Sequence, residues 1–312
     1  MDNFELSRRN TFAGIGLDRA AEHRNDPDWV AARLSDPGTR LVPMLRSRCL
    51  VRERGSAASA ITLAPETELL QADSPTLLGV AAQCAYFSVS LDEATARAIE
   101  RREQGEFVGL RHAAAVLDRH SAGLLAYAKA MHYWQHRHRF CGVCGHRNRL
   151  LEAGHRAECT NPDCARHTFP RIDPAIIVLV ADGDRCLLGR QPQWPRGRYS
   201  TIAGYVEPGE SLEEAVAREV AEETGVGIAT ASYHSSQPWP FPGTTMLGFH
   251  ASAADTAIRI GEELEDARWW PIDELRRAVA SGELLLPFEY SIAYRLIADW
   301  YRRIAGAEIG RA

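Results

Sequence analysis

Between Gly204 and Val226 the chain reads GYVEPGESLEEAVAREVAEETGV, and within it Gly204, Glu210, Arg218, Glu219, Val220, Glu222, Glu223, Gly225 and Val226 stand at the offsets G-x5-E-x7-R-E-V-x-E-E-x-G-V. Carboxylates gathered in this way offer oxygen ligands to hard cations such as Mg2+ or Mn2+, which keep positions open for water and phosphate oxygens. Glu219 and Glu223 are a like-charge pair one helical turn apart, which alone costs a helix about 0.2–0.5 kcal/mol. A bound cation would reverse that cost. The arrangement implied is a loop and helix that hold a divalent cation against phosphate oxygens. A solvated acidic helix is the simpler alternative, but it does not require the fixed offsets of Gly204, Glu210, Arg218 and Gly225.

The helix that must carry these carboxylates is locatable from local signals. Pro208-Gly209 marks a turn and Ser211-x-x-Glu214 is a capping box, so the helix starts near Leu212. Gly225, able to take the left-handed backbone conformation, ends it. At about 100° per residue, Glu219, Glu222 and Glu223 fall within an arc of roughly 100°, and Val216 and Val220 lie on the adjoining arc that faces a core. Arg218 is placed to orient a carboxylate, and Gly204 lets backbone approach a ligand closely.

A second constellation precedes the first. Cys141-x2-Cys144 and Cys159-x4-Cys164 are separated by fourteen residues, and each pair is close enough to form half of a tetrahedral thiolate site. Four sulfurs close the coordination sphere of Zn2+, so the site is structural. Two disulfides or free thiols are the alternative. His146 and His155 lie between the pairs and His132, His136 and His138 precede them; any of these could replace a cysteine ligand, and His132 with His136 could form a further metal pair.

After the acidic helix comes Ser236-Gln237-Pro238-Trp239-Pro240-Phe241-Pro242-Gly243-Thr244-Thr245-Met246. Alternating prolines exclude helix and central strand, so the backbone is extended with its side chains at fixed angles. Trp239 and Phe241 offer flat surfaces for a nicotinamide or adenine ring, worth about 1–3 kcal/mol per stacked base. Gln237 can hydrogen-bond an amide or a ring edge. Core or interface packing is the competing use of the same aromatics.

The chain has 312 residues, 45% apolar and 25% charged, a composition of soluble proteins and a length sufficient for two domains. A net charge of -5 argues against a generally basic nucleic-acid surface. No leader-like apolar segment opens the sequence and no run of apolar residues is long enough for a membrane span. Seven cysteines, an odd number with Cys49, Cys84 and Cys186 isolated, suit a reducing compartment. A cytoplasmic protein without membrane contact is expected. Residues 41–90 suggest a small sheet, and Leu91 to about Arg139 two helices. AIIVLVAD and RCLLGRQ form a hairpin across Asp182-Gly183-Asp184, more strand flanks the proline-rich loop, and a last helix runs from about Glu289 to Ile304.

The segment from Gly204 to Val226 resembles the Nudix box at every fixed position. A zinc ribbon, then this box, then S-Q-P-W-P-F-P, together with F-P-R-I-D-P-A from Phe169 to Ala175 and YWQHRHRFCGVCG, is similar to the NADH pyrophosphatase family from about residue 90 onward. Where that family usually continues x-S, this chain has Gly243-Thr244, which retains the hydroxyl. The resemblance implies an α+β fold: an N-terminal α/β domain over residues 1–135, a four-cysteine zinc ribbon over 136–170, and a Nudix α/β/α sandwich over 171–312. It further implies that Glu219, Glu222 and Glu223 are metal ligands and the catalytic acidic group, joined at the metals by the carbonyl of Ala203 and the carboxylate of Glu263. Phe169, Tyr205, Gln237, Pro238, Trp239, Pro240, Phe241, Pro242, Gly243, Thr244, Met246 and Ala293 correspond to substrate-contacting positions. The loop tryptophan implies a homodimer. The activity implied is hydrolysis of NADH or NAD+ to nicotinamide mononucleotide and AMP. Removal of an NAD cap from RNA by the same site is the first alternative, with Arg137, Arg139, Arg147, Arg149 and His155 as a basic path. A non-catalytic zinc-ribbon adaptor that binds nucleic acid is the second.

Overall fold

A computed structural model describes residues 2–66, 69 and 75–310. Among them the helices are α1 (Asn3–Arg9), α2 (Pro27–Leu34), α3 (Glu93–Glu103), α4 (Leu110–Ala113), α5 (Arg119–Arg137), α6 (Leu212–Thr224), α7 (Ile272–Ser281) and α8 (Ile292–Ala305). The earlier strands are β1 (Arg40–Leu45), β2 (Arg48–Arg54), β3 (Ala57–Ala60), β4 (Thr76–Ala81), β5 (Cys84–Ser90), β6 (Glu106–Gly109), β7 (Asn148–Leu151), β8 (Arg156–Cys159) and β9 (His167–Thr168). The later ones are β10 (Asp173–Asp182), β11 (Arg185–Arg190), β12 (Ile202–Tyr205), β13 (Ile228–Trp239), β14 (Thr244–Ala253) and β15 (Asp266–Pro271). The fold is α+β. None of the described helices is long and apolar enough to cross a membrane.

Two compact units result. One comprises Gly14–Ile172 with Trp239–Gly243, the other Met1–Ala13, Asp173–Pro238 and Thr244–Ala312. In the first unit the sheet order is β3-β2-β1-β5-β4, with β6 beside β2. Leu41, Leu77 and Phe87 are fully buried there, in a core that also takes Ala96 and Ile99 of α3. The expectation of two helices after Leu91 is corrected: between α3 and α5 stand β6, paired antiparallel to β2 with Leu50 opposite Phe107, and the short α4. The segment EFVG is too short for an alternation to declare itself in sequence, and its pairing with β2 decides its conformation. The ribbon is a small antiparallel sheet, β7-β8-β9.

In the second unit the predicted hairpin is present, Val180 pairing with Leu187 and Asp182 with Arg185. The sheet runs β13-β14-β10-β11-β15, with β12 on β10. β10 is covered on both faces, which explains its unbroken apolar run. Ile176, Val178 and Val180 pack with Val216 and Val220 of α6, whereas Ile177 and Leu179 pack with Leu275 of α7 and Leu296 of α8. Each of these buried aliphatic side chains stabilises by about 1.5–3 kcal/mol. The result is helix, sheet, helix, with α6 alone on the first layer. β13 lies at the sheet edge, where Pro238 costs no ladder hydrogen bond.

Candidate active site and metal centre

Helix α6 is fixed by its ends. The Ser211 hydroxyl accepts from the Glu214 N–H at 3.2 Å while the Ser211 N–H donates to the Glu214 carboxylate at 2.7 Å, completing the capping box. Gly225 closes the helix at φ 70, its N–H donating to the Ala221 carbonyl at 2.8 Å. Val216 and Val220 are fully buried, and the neighbouring carboxylates therefore grade from core to solvent. Glu223 is 6% exposed, and the Glu219 and Glu222 side chains are 14% and 60% exposed. The predicted shared face is thus an edge, with Glu222 at its solvent side.

Arg218 organises that edge. Its guanidinium donates to Glu219 at 2.9 Å, to Glu222 at 3.0 Å and to the Tyr205 carbonyl at 2.9 Å, and grips both oxygens of Glu210. Those Arg218 bonds hold the Glu210 carboxyl down to about 2. Gly204, on β12, has a use different from the one expected: a Cβ there would fall on the Glu219 carboxylate, so the glycine makes room for this side chain. The adjacent Ala203 is half-buried and pairs with Ile177.

Among the described residues no hydrogen-bond donor reaches the Glu223 carboxylate. Burial, then the charges of Glu219, Glu263 and Glu222, push its carboxyl up to about 8. Burial likewise raises Glu219. A buried carboxylate without a donor, with the charges of Glu219, Glu222 and Glu263 nearby, belongs to an oxygen set suited to a hard divalent cation. Glu263 comes from the loop before β15, and Gly261 brings that loop in. The Gly261 N–H donates to the Glu223 carbonyl at 2.8 Å, and a Cβ on Gly261 would strike the Glu222 carbonyl. Sequence inspection missed Gly261, whose only signal was a glycine in an acidic stretch. Glu223 also lines a cavity of about 110 Å³ with Ile177, Gln191, Trp194, Thr201, Ala203 and Leu264. A larger cavity, about 640 Å³, lies along Arg190, Tyr199 and Arg268. Two of its arginines are paired, Arg190 with Glu265 at 2.9 Å and Arg268 with Glu283 at 3.8 Å, and the smaller cavity, which Glu223 lines, is the better candidate for chemistry.

In the ribbon the sulfurs of Cys141, Cys144, Cys159 and Cys164 all lie within 4.8 Å of one another. Cys144 and Cys159 are 3.3 Å apart and Cys141 and Cys164 3.9 Å, beyond the ~2.05 Å of a disulfide. Hydrogen bonding from the His146 backbone holds Cys144 down to about 6, whereas burial pushes Cys159 up to about 12, so a bound cation is what would make all four thiolates. The quartet can hold a metal ion with no position left open. The histidines do not join it: His155 is buried and bonded to the Leu77 carbonyl at 2.7 Å, His146 to the Cys144 carbonyl at 3.3 Å, His138 to the Trp134 carbonyl at 2.8 Å, and His132 to Ser90 at 2.9 Å.

The proline-rich segment divides into anchored and presented parts. The Gln237 side chain is fully buried. It donates to the Thr11 and Tyr290 carbonyls at 3.0 and 2.6 Å and accepts from the Ile292 N–H at 2.8 Å. These bonds tie β13 to the segment after α1 and to the start of α8. Ala293 is 2% exposed, with its methyl in the core beneath α8. Pro238 and Pro242 are exposed, Pro240 is buried, and Gly243 and Met246 are half-buried. Trp239 and Phe241 pack edge to face at 5.1 Å and 75°. Thr244 is 6% exposed, its hydroxyl 3.4 Å from that of Tyr205. Tyr205 and Phe169 are exposed rings, at 56% and 55%.

This arrangement of fold, box helix and converging carboxylates defines a Nudix hydrolase. A NUDIX domain model matches residues 171–287. A model described as an NADH pyrophosphatase-like rudimentary NUDIX domain matches residues 38–134. The chain is similar to the NAD-capped RNA hydrolase NudC of Mycobacterium bovis, 35% identical over 315 residues and covering 96% of each chain. It is 46% identical over 199 residues to the NAD-capped RNA hydrolase NudC of Stutzerimonas stutzeri, covering 64% of this chain and 68% of that protein. With the NAD-capped RNA hydrolase NUDT12 of Homo sapiens it shares 30% over 341 residues, 94% of this chain and 73% of that protein. The chain belongs to the NADH pyrophosphatase family of Nudix hydrolases.

Proposed function

We propose that this enzyme hydrolyses the diphosphate of NADH or NAD+ to a nicotinamide mononucleotide and AMP. The observation that carries the proposal is Glu223: a buried carboxylate with no hydrogen-bond donor, pressed by Glu219 and Glu263, at the wall of a cavity. Glu219, Glu222, Glu223, Glu263 and the Ala203 carbonyl would hold Mg2+ or Mn2+. Divalent cations held there supply charge neutralisation of phosphate oxygens and an acidified water. Arg218 keeps Glu219 aimed inward. A carboxylate oxygen of Glu223 or Glu222 accepts the proton from the attacking water, and the Arg218 ion pair on Glu222 favours Glu223 for that role. Phe169, Tyr205, Thr244 and the aromatics of the proline-rich loop select the dinucleotide, and Zn2+ on the cysteine quartet is structural.

A homodimer, suggested by the loop tryptophan, and a cytoplasmic location, suggested by seven unpaired cysteines, belong to the same reading. Removal of the NAD cap from RNA is the second activity favoured, because the relatives are named for it; it uses the same carboxylates on a larger substrate. The test is incubation with Mg2+ or Mn2+ and NADH, NAD+, ADP-ribose or NAD-capped RNA, with products resolved by mass. Nicotinamide mononucleotide and AMP are expected. A protein that turns over other diphosphates and leaves every NAD-containing substrate uncut overturns the proposal.

A further inference from the structure

The loop of Trp239–Gly243 packs within the N-terminal unit, and the groups that hold it there are cationic. Lys129, in the middle of α5, is only 8% exposed. A buried ammonium requires partners, and its partners are the loop: Nζ donates to the Pro240 carbonyl at 2.6 Å and lies 5.1 Å from the centre of the Phe241 ring. Arg111, on α4, places its guanidinium 4.5 Å from the same ring and 5.7 Å from that of Trp239. Both distances are within reach of cation–π attraction. Pro240 is buried, so its carbonyl would lose a donor that water does not replace.

We infer that Lys129 and Arg111 are positioning residues for substrate selection: they clamp the backbone and the rings of the loop that carries Trp239 and Phe241. The inference rests on the proposed role of the loop in dinucleotide binding. The clamp acts on binding and leaves the carboxylates on α6 alone, so its signature is a split between KM and kcat.

The test compares Lys129→Met, Arg111→Ala and Trp239→Ala in the full-length, zinc-loaded enzyme, with NADH as substrate. Lys129→Met is expected to raise KM by about tenfold, the scale of a buried carbonyl left without its donor, with kcat within about twofold of the parent and zinc content unchanged. Arg111→Ala, at an exposed side chain that does not endanger folding, is expected to raise KM by about threefold, the loss of a weak cation–π contact. If Trp239→Ala raises KM while neither cation variant does, the clamp is overturned and the loop's role stands. If Trp239→Ala leaves KM and dimer mass unchanged, the loop's role fails and the clamp fails with it. An equal fall of kcat in the cation variants, with KM unchanged, also overturns the inference.

Discussion

The four ribbon sulfurs lie within 4.8 Å of one another, whereas burial, and then the charges of Glu219, Glu263 and Glu222, push the Glu223 carboxyl up to about 8. Both are candidate metal centres, yet they are assembled differently. The ribbon draws its ligands from two tight turns and closes them into one shell. The acidic cluster takes Glu219, Glu222 and Glu223 from a helix and Glu263 from a distant loop, and its buried member is left without a donor. A closed shell serves stability, and an electrostatically strained, open one serves turnover. The difference separates what each metal would do.

The largest effect should come from the closed shell. Removing zinc by chelation or by Cys159→Ser forfeits metal-binding energy on the order of 10 kcal/mol in a segment with little core of its own, and a steep fall in thermal midpoint is expected. An unchanged midpoint after verified zinc loss would erase the contrast. Next is the open site: Glu223→Gln should reduce NADH turnover by about 10²- to 10⁴-fold while the midpoint and zinc content hold, since a charge that repels its neighbours is removed. An active, well-folded Glu223→Gln would cancel the assignment of that residue.

Gly261→Ala tests how the loop that carries Glu263 is brought in. Its Cβ would strike the Glu222 carbonyl, so the loop must retreat and carry Glu263 away. Activity should require about tenfold more Mg2+ for half-saturation, the scale of a small misplacement, and a parental Mg2+ dependence would contradict it. The smallest effect is on acid stability and involves both units. His155 and His250 are held down to about 4 from the ordinary 6.5, chiefly by burial. Between those values the unfolded chain binds more protons than the folded one, so their contribution is complete above pH 6.5 and declines as pH falls toward 4. Urea midpoints should drop between pH 7 and pH 5, and less so in His155→Gln; an identical drop in that variant would exclude His155 as a source.

Local signals made much of this legible from sequence. Ser211, Glu214 and Gly225 bound α6 where their types predict, because caps act over a few residues. The cysteine spacing pointed to the ribbon for the same reason, and the apolar run of β10 announced a strand of the hairpin. What escaped was set by distant packing. Gln237 reads as a polar group available to a ligand, and nothing in its neighbours announces that Thr11, Tyr290 and Ile292 absorb all its bonds. Lys129 reads as an ordinary helix lysine, though its ammonium is buried against Pro240. Gly204 was recognised as a site of close approach, but the group that approaches is Glu219.

The most direct test of the central claim is hydrolysis of NADH in water enriched in oxygen-18, with the products weighed. Attack by water at one phosphorus predicts a single heavy oxygen in either AMP or the nicotinamide mononucleotide, dependent on Mg2+ or Mn2+ and lost in Glu223→Gln. Label in neither phosphate, or release of free nicotinamide in place of the two mononucleotides, would contradict it.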